Sequence, residues 1–305
     1  VSNNKVNNLD DFVSVMNEGM TLDVVPSLLQ SEAESYGHSA KESMLRQWVK
    51  SYDSHTLRVS SLGSPAVLQA LTVFGYHEGA RPNRLRRIFS RGDVDEAELI
   101  ALMNAHGLSV RNQQLEVDWN EVLGHIDGIV DESNIGSTVL DIKTTQPYKF
   151  DAWKKKGIDN DAYLTQIGVY QQATGTDNAA IVLSNKANSE LFVQRFTSKE
   201  LEPYLTRALR VVEAIRSMTY DDLFSGSVIQ APPVEQHICK RKEVDGVYTV
   251  PESMRYSPFR HVYYKLYTER DCYGKPKEYV EDYRYGRESE RALERLIKTG
   301  EVVTS

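Results

Sequence analysis

The spacing of apolar and polar positions changes period twice along the chain. Residues 1–56 follow a helical period, with a polar start and an amphipathic stretch around 40–52. A second helix is expected over 64–74, where Ser64 fits an N-cap and Pro65 the first helical position. An arginine-rich link, 81–91, leads to a third helical pattern in which Leu99, Leu102 and Met103 recur at helical spacing and Gly107 supplies a stop. The middle of the chain then shifts towards a period of two. Segments 115–119, 121–130, 138–145, 179–185 and 191–196 read as strands, some alternating and some apolar throughout. The turn-rich stretch 131–137 suits an antiparallel hairpin. One long helix is expected from about Phe150 to Ala173 and another over 198–222. Helix, three strands, helix, two strands is the order of an α/β or α+β layer architecture.

This order divides the chain into a helical N-terminal region (1–56), a core (57–224) and a C-terminal extension (225–305) expected to pack on the core. Beyond Ser225 the period is lost and nine of the seventeen tyrosines are found, interleaved with Arg255, Arg260, Lys265 and Arg270. Such alternation stacks on single strands or forms an aromatic hairpin face. Packing is the favoured reading, with strand content in 246–285.

Composition changes the picture little. Hydrophobic residues make up 40% and charged residues 26%, as in ordinary globular proteins, so neither a disordered nor a membrane class is indicated. No apolar run reaches the roughly 20 residues that cross a bilayer, and the first residues lack the basic and apolar blocks of a secretory signal. The expectation is a soluble protein of the cytoplasm, the host's cytoplasm if the source is viral, with no membrane partner. Cys239 and Cys272 form no CxxC pair, which argues against a zinc module, an iron–sulfur cluster or a disulfide scaffold. A net charge of −7 does not advertise a nucleic-acid binder, but an acidic metal site needs positive charge only along the path of a strand.

Candidate chemistry concentrates in the hairpin around 124–145. Asp141 and Lys143 are two apart on a strand and share a face. Asp127 lies on the preceding strand, close enough for a short connector to bring it alongside. Crowded carboxylates need positive compensation, and a hard divalent cation supplies it, with the Ile142 carbonyl as a further oxygen donor. Taken alone, Asp-x-Lys more often marks a cross-strand ion pair on a solvated face. Gln166 and Tyr170 are four apart and therefore on one helix face. Arg81, Arg84, Arg86, Arg87 and Arg91 fall within a run free of acidic residues, which fits either a phosphate-binding surface or a solvated helix edge. Lys149, Lys154, Lys155 and Lys156 surround Trp153, a stacking platform or a core anchor. His125, two residues from Asp127, should share its strand face, to contact a bound molecule or to pack.

Three stretches in order, Gly124-His125-Ile126-Asp127-Gly128, Leu140-Asp141-Ile142-Lys143-Thr144 and Gln166-Ile167-Gly168-Val169-Tyr170, resemble the motifs of the PD-(D/E)XK nuclease superfamily, in its RecB-like, phage-type exonuclease branch. The resemblance covers about residues 57–200. It implies a restriction-endonuclease-like core, a mixed central sheet flanked by helices, preceded by the helical N-terminal region and followed by the tyrosine-rich extension. It implies Asp127, Asp141 and Ile142 as metal ligands for Mg²⁺ or Mn²⁺, and Asp127, Asp141, Lys143 and Glu96 as the catalytic set. Glu96 matches the family's acidic helix position, with Asp93 where histidine is usual; Glu98 is its rival, and an acidic first helical turn is the alternative to both. Gln166, Tyr170, Arg84, Arg86, Arg87, Arg91, His125 and Thr144 are the implied DNA contacts. Relatives that hold an iron–sulfur cluster do so with cysteines, and serines stand at 61 and 64 here, so no cluster is expected. The implied activity is metal-dependent exonucleolytic hydrolysis of DNA, single-stranded or at duplex ends, in phage-type replication, recombination or degradation. Other replication or recombination proteins are candidate partners. A structure-specific endonuclease and a non-catalytic DNA-binding subunit with a nuclease fold are the alternatives.

Overall fold

The structure, a computed structural model, describes residues 6–18, 34, 36–38, 41, 56–64, 66–73, 83–217, 242–244 and 247–249. In chain order these form α1 (Leu9–Glu18), a 3-10 turn (Val59–Ser61), α2 (Ala66–Val73), α3 (Asn83–Ala105), β1 (Val110–Arg111), β2 (Glu116–Trp119), β3 (Val122–His125), β4 (Gly128–Glu132), β5 (Gly136–Thr145), α4 (Pro147–Lys156), α5 (Asp161–Thr174), β6 (Asn178–Asn185), β7 (Leu191–Thr197), α6 (Ser198–Ser217), β8 (Lys242–Val244) and β9 (Val247–Thr249). The amphipathic stretch 40–52, Arg81, and all of the C-terminal extension except β8 and β9 lie outside the described residues apart from single positions. The chain divides into two compact units. The first holds Val1–Ser51, Arg58–Gly63 and Arg86–Arg207; the second holds Tyr52–Leu57, Ser64–Leu85 and Ala208–Ser305.

In the first unit, five strands form one mixed sheet in the order β1-β4-β5-β6-β7. Strands β4 and β5 are an antiparallel hairpin whose register ends at Gly128↔Leu140. The turn between them closes at Gly136, whose φ of +93° suits a residue without Cβ. Strands β5 and β6 are parallel, from Thr138↔Asn178 to Thr145↔Asn185. That pairing demands a crossover, and α4 and α5 supply it. Strand β7 returns antiparallel to β6. Strands β2 and β3 form a separate two-stranded ribbon joined at Asn120 and Glu121, both with positive φ, as a tight hairpin turn requires.

Helices flank the sheet. Leu9 and Phe12 of α1 and Leu99, Ile100 and Met103 of α3 pack against Val130, Leu140, Ile142 and Val182, forming the main core. Charge also fastens α1. Glu132, buried at the end of β4, accepts the Leu9 N–H at 2.9 Å, the Thr138 hydroxyl at 2.6 Å and the Arg195 guanidinium at 2.5 Å, and Arg195 also reaches Asp10 at 2.9 Å. Helix α5 is buried without a break from Leu164 to Gln171. Gly168 lets it approach α6, where a Cβ would stand 3.3 Å from that of Leu201. In the second unit, Ala208, Val211, Val212 and Ile215 form a buried stripe at helical spacing along α6.

Three expectations change, and one strand is added. Segment 121–130 is not one strand: it breaks at Ile126 and Asp127, and β3 leaves the main sheet. The expected long helix is two, because Gly157 (φ +88°) ends α4 and Asn160 caps α5 by accepting the Tyr163 N–H. The arginine-rich link is helical from Asn83 onward and is the first half of α3. Strand β1 lies between the Gly107 stop and the strand expected from 115, a stretch to which the sequence assigns no element. The expected 198–222 helix is α6, described to Ser217, and β9 supplies strand within 246–285.

Candidate active site

Strand β4 stops pairing with β5 at Leu140, and the next inward-pointing donor of β5, the Ile142 N–H, would otherwise be orphaned. The Asp127 carboxylate takes the place of the missing strand: its Oδ2 accepts the Ile142 N–H at 2.6 Å. The N–H and C=O of one strand residue face the same edge, so the Ile142 carbonyl also faces the notch where β4 has turned away. Asp141 and Lys143 share the opposite sheet face from Ile142, and Lys143 Nζ donates to Asp141 Oδ1 at 2.6 Å. The second Asp141 oxygen, Oδ2, is buried with no hydrogen-bond partner among the described residues.

The notch opens into a cavity of about 270 Å³ lined by Arg58, Ser60, Asp93, Glu96, Gln114, Leu123, Gly124, His125, Asp127, Gln166 and Tyr170. Glu96 reaches it from α3, and Gln114 Nε2 donates to Glu96 Oε1 at 2.7 Å. Gln166 and Tyr170 reach it from α5, one turn apart, with Gln166 Nε2 donating to the Tyr170 hydroxyl at 3.1 Å. Gly124 is needed here: a Cβ would lie 2.7 Å from Val59 Cγ2 and 2.9 Å from the Tyr170 ring. A larger cavity, about 510 Å³, opens at the other end of β5 and β6 around Ser137 and Asn178, and none of the expected site residues lines it.

Electrostatics mark the notch as short of positive charge. Burial pushes the Asp127 carboxyl well above the usual carboxylate range, Glu96 and then Asp141 push it further, and Lys143 and the Ile142 N–H only partly oppose this. Burial also raises Asp141, against the pull of Lys143. Burial alone would lower the Lys143 ammonium, but Asp141 and then Asp127 outweigh it and hold Lys143 protonated above its ordinary value. Burial raises both Tyr163 and Tyr170. The donor set at the notch, two aspartates and a carbonyl, is all oxygen and suits a hard cation. Among the described residues no three carboxylate, His or Cys side chains form a ready-made cage. The orphaned Asp141 oxygen and the strained Asp127 carboxyl nevertheless fit Mg²⁺ or Mn²⁺, since Mg²⁺ usually takes one or two carboxylates and keeps waters.

The expected residues fall into three groups. Asp127, Glu96, Gln166 and Tyr170 line the cavity, while Asp141, Lys143 and the Ile142 backbone adjoin Asp127 at the notch without lining it; Glu98 is exposed on α3, so the fold brings Glu96 and not its rival to the cavity. His125 lines the cavity mouth from the exposed face of β3, 3.6 Å from its cross-strand neighbour Glu116. It does not share a strand face with Asp127, because alternation breaks where Ile126 and Asp127 are both buried. Thr144 lies on the far sheet face beside Gly92 and outside the cavity. Arg86, Arg87 and Arg91 lie along α3, with Arg87 and Arg91 exposed, and the Arg84 side chain is outside the described residues. Trp153 is a packing anchor: it is 7% exposed, donates to Asp159 at 2.7 Å and meets Tyr163 edge-on.

Sequence reasoning missed four residues here. Arg58 and Ser60 enter from the 3-10 turn and Gln114 from the turn before β2; all three are distant in sequence from the motifs. Tyr163, one turn ahead of Gln166 on α5, stands 5.8 Å from Lys143 Nζ over its ring; helical spacing from Gln166 was the available signal.

No protein-family model matches the chain, and no curated protein does. Among solved structures, an alkaline exonuclease, LHK-Exo from Laribacter hongkongensis, also solved in complex with dAMP, is similar over 58% of this chain and 93% of its own, at 14% identity and a TM-score of 0.40. A phage-related exonuclease from Haemophilus somnus 129PT is similar over 56% and 96%, at 15% identity and 0.36. The protein SSO0001 is similar over 65% and 96%, at 12% identity and 0.36. No helix among the described residues is long and apolar enough to cross a membrane.

Proposed function

We propose that the protein is a metal-dependent deoxyribonuclease acting as an exonuclease of the phage replication and recombination type. The observation that carries the reading is the notch: a buried Asp127 and Asp141, one oxygen of Asp141 without a partner, and Lys143 held as an ammonium beside them. Asp127, Asp141 and the Ile142 carbonyl would hold Mg²⁺ or Mn²⁺, with Glu96 contributing from α3. A cation held there would supply an activated water and stabilise charge on the scissile phosphate. Lys143, which donates to Asp141 Oδ1, stands beside these ligands, where its ammonium would neutralise charge on the phosphate or its amine would orient the water. Gln166 and Tyr170, paired on α5, present an amide and a phenol to the strand in the cavity.

Beyond the notch, the path continues over the ends of β5 and β6. Lys186 follows β6 directly, and its N–H donates to the Thr145 carbonyl at 3.0 Å. Its half-buried ammonium shares Asp95 with Arg91 of α3; burial lowers it, Asp95 opposes this, and Arg91 adds repulsion. Two cations against one carboxylate leave a surplus that suits phosphate. Incubation with Mg²⁺ and 5′- or 3′-labelled linear DNA, single- and double-stranded, beside covalently closed circles, tests the activity. Loss of linear substrate from its ends with circles intact is expected. Loss of the circles would sink the exonuclease reading and favour an endonuclease, and no cleavage of either would refute the proposal.

A further inference from the structure

The turn joining β1 to β2 is built against the preferences of its residues. Asn112 and Gln114 both adopt left-handed backbone, with φ of 56° and 53°. Asparagine tolerates that region, but glutamine gains nothing there. The turn closes through the Leu115 N–H on the Asn112 carbonyl at 3.1 Å. It is then tied on two sides. The Leu115 carbonyl accepts the N–H of Ile126, the residue before Asp127, at 3.1 Å. The Gln114 side chain donates to Glu96 Oε1 at 2.7 Å, and both residues line the cavity. A connection that only had to join two short strands would be relaxed by glycine at 114. Strain kept at a residue whose side chain reaches a site carboxylate is a mark of function.

We infer that Gln114 is a positioning residue for Glu96: its amide fixes the Glu96 carboxylate at the cavity so that it serves the divalent cation that Asp127 and Asp141 would hold. The inference rests on the nuclease reading above. Glutamate has three rotatable bonds, and an untethered carboxylate loses that freedom when it takes up a ligand role. A neighbour that orients it beforehand acts as second-layer hydrogen bonds do around metal ligands, where their removal typically costs 10–100-fold in affinity or activity. The tie to Ile126 places the same turn against the segment carrying Asp127, so one turn references both carboxylates.

Binding of Mn²⁺ to the full chain without DNA, followed by the loss of the free-ion EPR signal, reads this directly. Gln114→Gly removes the amide and relaxes the backbone, so the variant should melt close to the parent while its Mn²⁺ affinity falls by about 10-fold. Gln114→Met keeps the bulk without the donor and should lose affinity similarly, which guards against a loss caused by backbone freedom alone. In a Glu96→Gln background, neither substitution should weaken binding further, because the residue acted upon is gone. Parent-like affinity in both variants, or an equal loss in the Glu96→Gln background, overturns the inference while leaving the nuclease reading standing if the parent binds Mn²⁺ and cleaves DNA. A parent that binds no Mn²⁺ refutes both.

Discussion

The Asp127 carboxylate does a backbone's task, and in the proposed function it would do a ligand's task as well. It satisfies Ile142 where β4 has left the ladder, and it is held in the company of Asp141 and Glu96 without enough positive charge. Sites arranged for binding are commonly destabilising in the empty protein. Asp127→Asn keeps an oxygen for the Ile142 N–H and removes the charge. In metal-free buffer at neutral pH the variant should therefore melt higher than the parent, and a gain of about 1 kcal/mol corresponds to roughly 2–4 °C at this domain size. The pH dependence has a definite sign. The folded Asp127 carboxyl keeps its proton above the ordinary value of 3.8, so the folded state binds more protons than the unfolded chain in between. The stability this group contributes is complete below the unfolded value and is lost as pH rises through the raised folded value. Melting temperature against pH, parent minus Asp127→Asn and both without metal, should fall across that window. A flat difference would show the carboxylate to be unstrained.

At the scale of elements, the site is made by strands and helices ending in particular places. Asp141 and Lys143 were legible in the sequence because a strand's period of two is local, as was the one-turn spacing of Gln166 and Tyr170. The break at Ile126 and Asp127 is not: Val122 and Leu123 before it and Ile129 and Val130 after it read as one strand, and only the Asp127 side chain bonding to Ile142 shows that the ladder has ended. The arginine-rich segment 81–91 reads as a link because its periodicity is carried by few apolar residues, yet from Asn83 it is a continuous helix on which Ile88 and Phe89 are exposed. Gly157 lies inside the helical pattern of 150–173, and its positive φ divides α4 from α5. Arg58, Gln114 and Lys186 reach their places through tertiary structure alone, so no motif spacing announces them. The ends of α3 and β6 give a prediction of their own. If Arg91 and Lys186 each neutralise one phosphate, Arg91→Ala and Lys186→Ala should each lower the slope of log binding constant against log salt on duplex DNA by about 0.9. That slope, measured in Ca²⁺ to suppress turnover, would stay at the parental value if Asp95 alone accounted for the two cations.

For the whole molecule, a net charge of −7 is compatible with the proposed handling of phosphate because the balance is local. Acid gathers where the proposed cation would sit, at Asp127, Asp141 and Glu96, and base lies around it, at Arg58 and Lys143 and onward to Arg91 and Lys186. Lys143 is the residue on which the proposed metal site depends most directly. The direct measurement compares parent and Lys143→Ala on end-labelled linear DNA in Mg²⁺, with binding of the same DNA followed in Ca²⁺. The account predicts Mg²⁺-dependent release of labelled product by the parent and a loss of about 10²–10³-fold in the variant, with DNA binding largely retained. A variant that cleaves as fast as the parent would contradict it.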